Sequence, residues 1–269
     1  MEKRIHFNHY LAITISLLLA ITCGYAQETD NNFTPQSGQA GKDVVWVPTP
    51  QALVDTMLAM ANVTSADYVI DLGSGDGRLV ITAAKRGATA LGIEYNPDMV
   101  ELAKRNAMEE GVSAKATFKQ ADIFESDFSQ ATVITLFLLS DLNLRLRPTL
   151  LNMKPGTRIV SNTFSMSDWE SDLTVRLNEM ASWSTAHLWI VPAKVDGNWK
   201  LDGGQIKFTQ KFQYITGTLT MGNEEMEFSG KLNGDKINFH AGGMEYTGTV
   251  SGNTIAGTRT GGGSWNATR

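Results

Sequence analysis

The chain has a single cysteine, Cys23, in 269 residues. No internal disulfide can form, and thiol chemistry has only one position open to it. Histidine is scarce as well. Of four, only His187 and His240 lie beyond residue 26, too few and too scattered for a metal site, and no metal is expected. No block of Lys or Arg stands out and the net charge is −5, so no nucleic-acid partner is expected. The apolar run from Tyr10 to Thr22 falls short of the roughly 20 residues of a membrane-spanning helix. The 42% hydrophobic content still suffices for a sizeable core, and the length admits one or two domains.

The first residues have a processing layout. Lys3 and Arg4 precede the apolar run, and Gly24-Tyr25-Ala26 follows it. This reads as a signal peptide over 1–26, cleaved after Ala26, with Cys23 removed and the mature protein exported to the periplasm. The alternative is a lipoprotein anchored at Cys23, for which Thr22 is a poor preceding residue. Residues 27–44 are polar, with Asn31-Asn32 and several Gly, Ser and Gln, and read as a flexible linker.

The most informative stretch is Val69-Ile70-Asp71-Leu72-Gly73-Ser74-Gly75-Asp76-Gly77-Arg78-Leu79. An apolar strand runs into an acid, then into alternate glycines, then into a helix. Such a backbone turns tightly and can approach a nucleotide-like ligand. A dinucleotide fingerprint would place a small residue after Gly77, where this chain has Arg78. A second strand, from Ala88 to Ile93, ends at Glu94, 19 residues after Gly75. A carboxylate there can accept from both hydroxyls of a ribose, and Tyr95 can lie against a purine face. Asn96-Pro97 opens a helix that Gly111 ends. A third strand over 116–120 leads to Asp122, a fourth covers 131–138 and a fifth 157–164. A helix over 142–153, interrupted near Pro148, lies between the last two, and 173–177 with 186–191 can close the sheet as a hairpin. Upstream, Thr49 is expected to cap a helix with Pro50 in its first turn.

Asp71-x-Gly73-x-Gly75 resembles the first motif of class I methyltransferases that depend on S-adenosylmethionine (SAM). The resemblance implies a Rossmann-like sheet and SAM as cofactor. It also implies that Asp122 faces the adenine amino group and that the helix start at Thr49 receives the methionine carboxylate, as helix N-termini favour anions. The expected cofactor residues are Thr49, Asp71, Gly73, Gly75, Glu94, Tyr95 and Asp122. From Trp46 to about Ala193 the chain is similar to a bacterial group of such enzymes. The shared words are Val47-Pro48-Thr49-Pro50, the glycine motif, Leu142-Asn143-Leu144-Arg145-Leu146-Arg147-Pro148 and Leu188-Trp189-Ile190-Val191-Pro192. That group is distantly similar to the lysine methyltransferases of the mitochondrial ATP synthase ring subunit. Methyl transfer to an amine, on a protein lysine or a small molecule, is what this implies.

No catalytic residue follows from these motifs, because positioning and desolvation can carry methyl transfer. Phe137-Leu138-Leu139-Ser140 lacks the Asn/Asp-Pro-Pro-aromatic word of amide and nucleobase-amine methylation. Asp141 and Trp169 are acceptor-pocket candidates, with helix capping and packing as their plainer roles. The rivals are an exported SAM-fold binding protein without turnover and, against Arg78, an NAD oxidoreductase.

Two domains are expected, 45–193 and 194–269. The second shows a repeat at a spacing of 18: the run from Met226 to Ile237 matches that from Met244 to Ile255. Gly234-Asp235 and Gly252-Asn253 are hairpin turns. The expected fold is a small antiparallel β-meander or partial barrel, with Trp199, Phe208, Tyr214, Phe228, Phe239, Tyr246 and Trp265 as its core.

Overall fold

A computed structural model describes residues 33–177 and 182–269. The expected signal peptide and Cys23 lie outside the described residues, as do residues 27–32.

The first region is a twisted sheet with helices on both faces. Its elements are α1 (Gln51–Met60), β1 (Tyr68–Leu72), α2 (Arg78–Lys85), β2 (Thr89–Glu94), α3 (Pro97–Glu109), β3 (Ala116–Gln120), β4 (Val133–Leu136), α4 (Ser140–Leu150), β5 (Arg158–Asn162), β6 (Leu173–Arg176) and β7 (Thr185–Ile190). The strand order is β3-β2-β1-β4-β5-β7-β6. The first five pair in parallel, and β7 runs antiparallel to both β5 and β6. Central strands must be apolar on both faces when helices cover both. Accordingly β4 is buried at every residue and β1 at all but its first. Leu53, Met57, Val80, Val100 and Ala103 from α1–α3 pack on one face, and Leu146 and Leu150 of α4 pack on the other. The order reverses at β1, between β2 and β4, which opens a crevice at the carboxyl ends of these strands.

Two helix starts differ from expectation. Pro50, not Thr49, is the N-cap of α1, and no side chain caps that helix. Thr49 is buried, its hydroxyl accepts from Asn162 Nδ2 at 3.3 Å and its carbonyl from Arg78 Nη1 at 2.7 Å. The tertiary partner Asn162 outcompetes the local cap. The second difference is α4, which begins at Ser140, two residues early, and carries Pro148 in its last turn. The Asn96 cap of α3 agrees with expectation: its Oδ1 accepts from Asp98 N at 2.9 Å.

The second region is β8 (Gly197–Leu201), β9 (Gly204–Lys211), β10 (Tyr214–Met221), β11 (Glu224–Asn233), β12 (Lys236–Ala241), β13 (Met244–Ser251), β14 (Thr254–Arg259) and β15 (Ser264–Thr268). The expected meander closes fully, into an eight-stranded antiparallel barrel. The sequence repeat is the β11–β12 hairpin followed by the β13–β14 hairpin. Trp199, Phe208, Phe228, Phe239, Tyr246 and Trp265 fill the interior. Their bulk is accommodated by glycines across the ladder. A Cβ on Gly217 would lie 2.7 Å from the Phe228 ring and 1.9 Å from Lys207 O. Tyr214 is a correction to the expected core: it is 43% exposed, and its hydroxyl donates to Glu170 Oε2 at 2.9 Å. It faces the sheet region, not the barrel interior.

The two regions meet along the loop between β5 and β6. Trp169 stacks on Phe212 with centroids 5.8 Å apart, Gln213 Nε2 donates to Glu170 O at 2.8 Å, and Lys231 pairs with Asp172 at 2.8 Å. Trp169 is therefore a seam residue with its ring between Trp189 and Phe212, and not an acceptor-pocket residue.

Candidate functional site

The reversal of strand order places one cavity of about 410 Å³ at the carboxyl ends of β1, β2 and β4. This lies within the usual size range of small-molecule sites. Thr49, Asp71, Gly73, Gly75, Glu94, Tyr95 and Asp122, the seven residues expected for the cofactor, all line it.

The glycine loop is held to the neighbouring strand. Gly73 N and Ser74 N both donate to Ile93 O, at 2.8 and 3.1 Å. Gly75 N donates to Glu94 Oε2 at 3.0 Å, and Asn96 N donates to Glu94 Oε1 at 2.9 Å. Each carboxylate oxygen thus has one backbone donor and keeps a lone pair for a ligand hydroxyl. Gly75 has φ +52°, and a Cβ there would sit 2.6 Å from Trp46 Nε1, so glycine is required twice over.

Asp71 lies beneath the loop on β1, opposite Thr135 in register, and accepts from Thr135 Oγ1 at 2.6 Å. Burial, above all, pushes its carboxyl up to about 7; the negative charges of Glu94 and Asp76 add to this, and the Thr135 hydrogen bond opposes it. Ser74 Oγ is buried without a hydrogen-bond partner among the described residues. Such a group is costly unless a ligand or water satisfies it.

Asp122 stands at the adjacent wall. Its Oδ1 accepts from Phe124 N at 2.9 Å, and Lys42 pairs with its other oxygen. The Lys42 hydrogen bond chiefly holds the Asp122 carboxyl below the usual carboxylate range. Lys42 also lies 4.6 Å from the centre of the Tyr95 ring. It belongs to a segment that lines the cavity, closed on itself by Gly38 N to Trp46 O at 2.8 Å and Trp46 N to Gln39 O at 2.9 Å. Most of this segment falls within the stretch expected as a linker.

Sequence reasoning did not single out Lys42, Trp46, Ser74, Phe137, Phe164 or Trp183, all of which line the cavity. Trp46 and Ser74 sit beside or inside the shared words, so adjacency was the available signal. Trp183 has no local signal at all. Asp141 lies exposed on the first turn of α4 and is not among the lining residues.

The cavity suits SAM chemically. SAM carries a sulfonium and an ammonium, a ribose diol and a purine. Asp43, Asp71, Asp76, Glu94 and Asp122 give the lining an excess of carboxylates over its two cations, Lys42 and Arg78. Glu94 has acceptor capacity for a diol, Ser74 has an unmet hydroxyl, and Ile123, Leu138 and Met99 supply apolar wall.

Strand order, glycine loop and cavity together define a class I SAM-dependent methyltransferase. Residues 71–173 match the family described as the ANTKMT methyltransferase domain. A protein-lysine N-methyltransferase of Saccharolobus islandicus is 39% identical over 151 residues, 55% of this chain and 94% of that protein. A lysine N-methyltransferase of Homo sapiens, named for an ATP synthase subunit, is 33% identical over 128 residues, 47% of this chain and 54% of that protein. The chain thus spans almost all of the archaeal relative and about half of the human one. Among solved structures, an RNA methyltransferase from Salinibacter ruber in complex with S-adenosyl-L-homocysteine is 46% identical, with a TM-score of 0.53, covering 55% of this chain and 96% of that one. The chain belongs to this methyltransferase family.

Proposed function

We propose that the chain methylates an amine, in the first place a protein lysine side chain. The observation that carries this is the acceptor side of the cavity. Beyond β4, where a hydrogen-bonding word would grip an amide or nucleobase, stand Phe137, Leu138 and Leu139, with Leu142, Phe164 and Trp183 beside them. An acidic cavity with an apolar entrance suits an alkyl chain ending in a basic amine. The relatives named as lysine methyltransferases support the same reading.

When bound, SAM supplies an electrophilic methyl group on a sulfonium. The chain's residues bind, orient and exclude water. Glu94 would hold the ribose hydroxyls, the Gly73 to Gly75 backbone would allow close approach, Tyr95 would contact the adenine, and Asp122 would take its amino group. The segment before α1, with Thr49, would receive the methionine carboxylate, and Asp71 would stabilise positive charge below the loop. The acceptor amine gives up its proton to solvent before transfer and attacks as the neutral nucleophile. No side chain need take its proton while it attacks; positioning and desolvation carry the rate.

The test is a labelled-methyl assay on an extract, with calorimetry using SAM, S-adenosylhomocysteine and NAD. Label recovered as methyl-lysine supports the reading. Label in RNA, the acceptor class for which the Salinibacter ruber protein is named, would overturn it. Tight SAM binding without label in any acceptor would leave a binding protein without turnover.

We further propose that residues 1–26 direct export and that the mature chain begins at Gln27, with a cofactor domain over 45–193 and a β-rich domain over 194–269. N-terminal sequencing of the exported protein tests the first point. A start at an acylated Cys23 would mean a lipid-anchored form.

A further inference from the structure

Three rings at the acceptor side of the cavity are left over by the cofactor assignments. Phe137 lies one residue past β4, Phe164 two past β5, and Trp183 two before β7. Their centroids are 6.1 Å apart for Phe137 and Phe164, and 5.6 Å for each of these with Trp183. All three line the cavity. They come from three separate segments, so only the tertiary fold brings them together.

This cluster differs from a packed core in two respects. Trp183 stays 37% exposed and Phe164 only half-buried, whereas rings at similar spacing in the barrel are enclosed. The backbone also gives up comfort to present the rings. Trp183 has φ +57°, and Thr163, immediately before Phe164, has φ +61°. Bulky and β-branched residues avoid this region, and such strain gathers at functional sites.

The surrounding chemistry identifies the ligand. The cavity is rich in carboxylates, and both its cations are already paired, Lys42 with Asp122 and Arg78 with Asp76. No side chain among Phe137, Leu138, Leu139, Leu142, Phe164 and Trp183 offers a carbonyl or carboxylate to read a nucleobase edge. Aromatic faces attract ammonium groups, most strongly where these are desolvated.

We propose that Phe137, Phe164 and Trp183 form an alkylammonium subsite that receives the amine end of the acceptor, as lysine or as its methylated forms. Methylation keeps the positive charge, so the same rings accept substrate and product. This rests on the amine-acceptor reading above, and its test is separate from the test of that reading.

The probe is Nα-acetyl-Nε-trimethyl-lysine amide, titrated into the full chain saturated with S-adenosylhomocysteine. Its uncharged isostere, with a tert-butyl group replacing the trimethylammonium, is titrated in parallel. The charged probe should bind about tenfold more tightly, the scale of a partly desolvated cation–aromatic contact. Trp183→Gly suits the positive φ and removes the ring; Trp183→Phe keeps an aromatic face. The first should lose about tenfold for the charged probe, the second much less, and both should keep the affinity for S-adenosylhomocysteine. Equal binding of the two probes by the unaltered chain would overturn the subsite, as would no binding of the charged probe. So would a Trp183→Gly chain that binds the charged probe as before. Methyl-lysine formation alongside equal probe binding would sink the subsite and spare the amine reading. Selective binding of the charged probe without any amine methylation would do the reverse.

Discussion

The two halves of the chain use aromatic side chains in opposite ways. In the barrel, six rings close over one another until none is more than 6% exposed. At the sheet cavity, Tyr95 and Trp183 remain 52% and 37% exposed. Among the described residues, four buried side-chain atoms have no hydrogen-bond partner: Ser74 Oγ lines the cavity, Asn143 Oδ1 and Trp169 Nε1 lie elsewhere in the sheet region, and Gln213 Oε1 sits between β9 and β10. The barrel is packed to be finished, and the sheet region is left unfinished at the carboxyl ends of its strands. Sites are built by withholding packing where a ligand will supply it.

The largest effect that sharpens this contrast should come from Phe239→Ala. The ring is fully enclosed among Phe208, Phe228, Tyr246 and Trp265, so truncation leaves a void and should cost about 3–5 kcal/mol in denaturant unfolding. SAM affinity measured well below the melting temperature should not move; a shift would show that barrel packing reaches the site.

Glu94→Ala is the converse. Calorimetry should show SAM binding weakened by about 1–3 kcal/mol, the scale of hydrogen bonds to a charged group. Gly75 N and Asn96 N also lose their acceptor, so the loop will loosen. Unchanged affinity in a folded variant would remove Glu94 from the site.

Asp71 makes the site answer to pH. The folded chain holds this proton to about 7, whereas the unfolded chain releases it near 3.8. Stability from this group is therefore fullest below the lower value and falls as pH rises to about 7, then levels. Asp71→Asn should flatten that slope in unfolding measurements across the window. Bound SAM, being cationic, should favour the ionised carboxyl, so affinity should rise with pH over the same range. A variant with the same slope as the parent would assign it to another group.

The smallest effect is expected at the seam. Tyr214→Phe removes an exposed hydrogen bond to Glu170 and should cost about 0.5 kcal/mol. A much larger loss would mean that the two regions are energetically one body.

The sheet was legible because each of its strands announces itself locally. The glycine loop, the acid ending β2 and the Asn96 cap are short-range patterns, and they fix where the cavity must be. The 18-residue repeat likewise gave away the barrel hairpins. What stayed hidden depends on distant partners. The Thr49 hydroxyl meets Asn162 across 113 residues, which no capping rule foresees. Tyr214 alternates like a core residue but sits where the barrel meets Glu170. Lys42 reads as part of a polar connector until Asp122 is placed beside it. Trp183 joins Phe137 and Phe164 only once β4, β5 and β7 are side by side.

The barrel's connectivity also has a meaning in time. Every ladder joins strands consecutive in the chain except one, between β8 and β15, and that one is held by two residue pairs, Ala267 with Leu201 and Thr268 with Lys200. Hairpins of this kind form early, because little chain entropy is lost before contacts repay it. The parallel sheet must instead wait for its crossovers, and β4 has to insert beside β1 after two intervening strands. Synthesis from the N-terminus therefore gives the slower half a head start and brings the quicker half out behind it. Refolding from denaturant grants no such interval, so a barrel formed first would meet a sheet whose Trp169 face is still open.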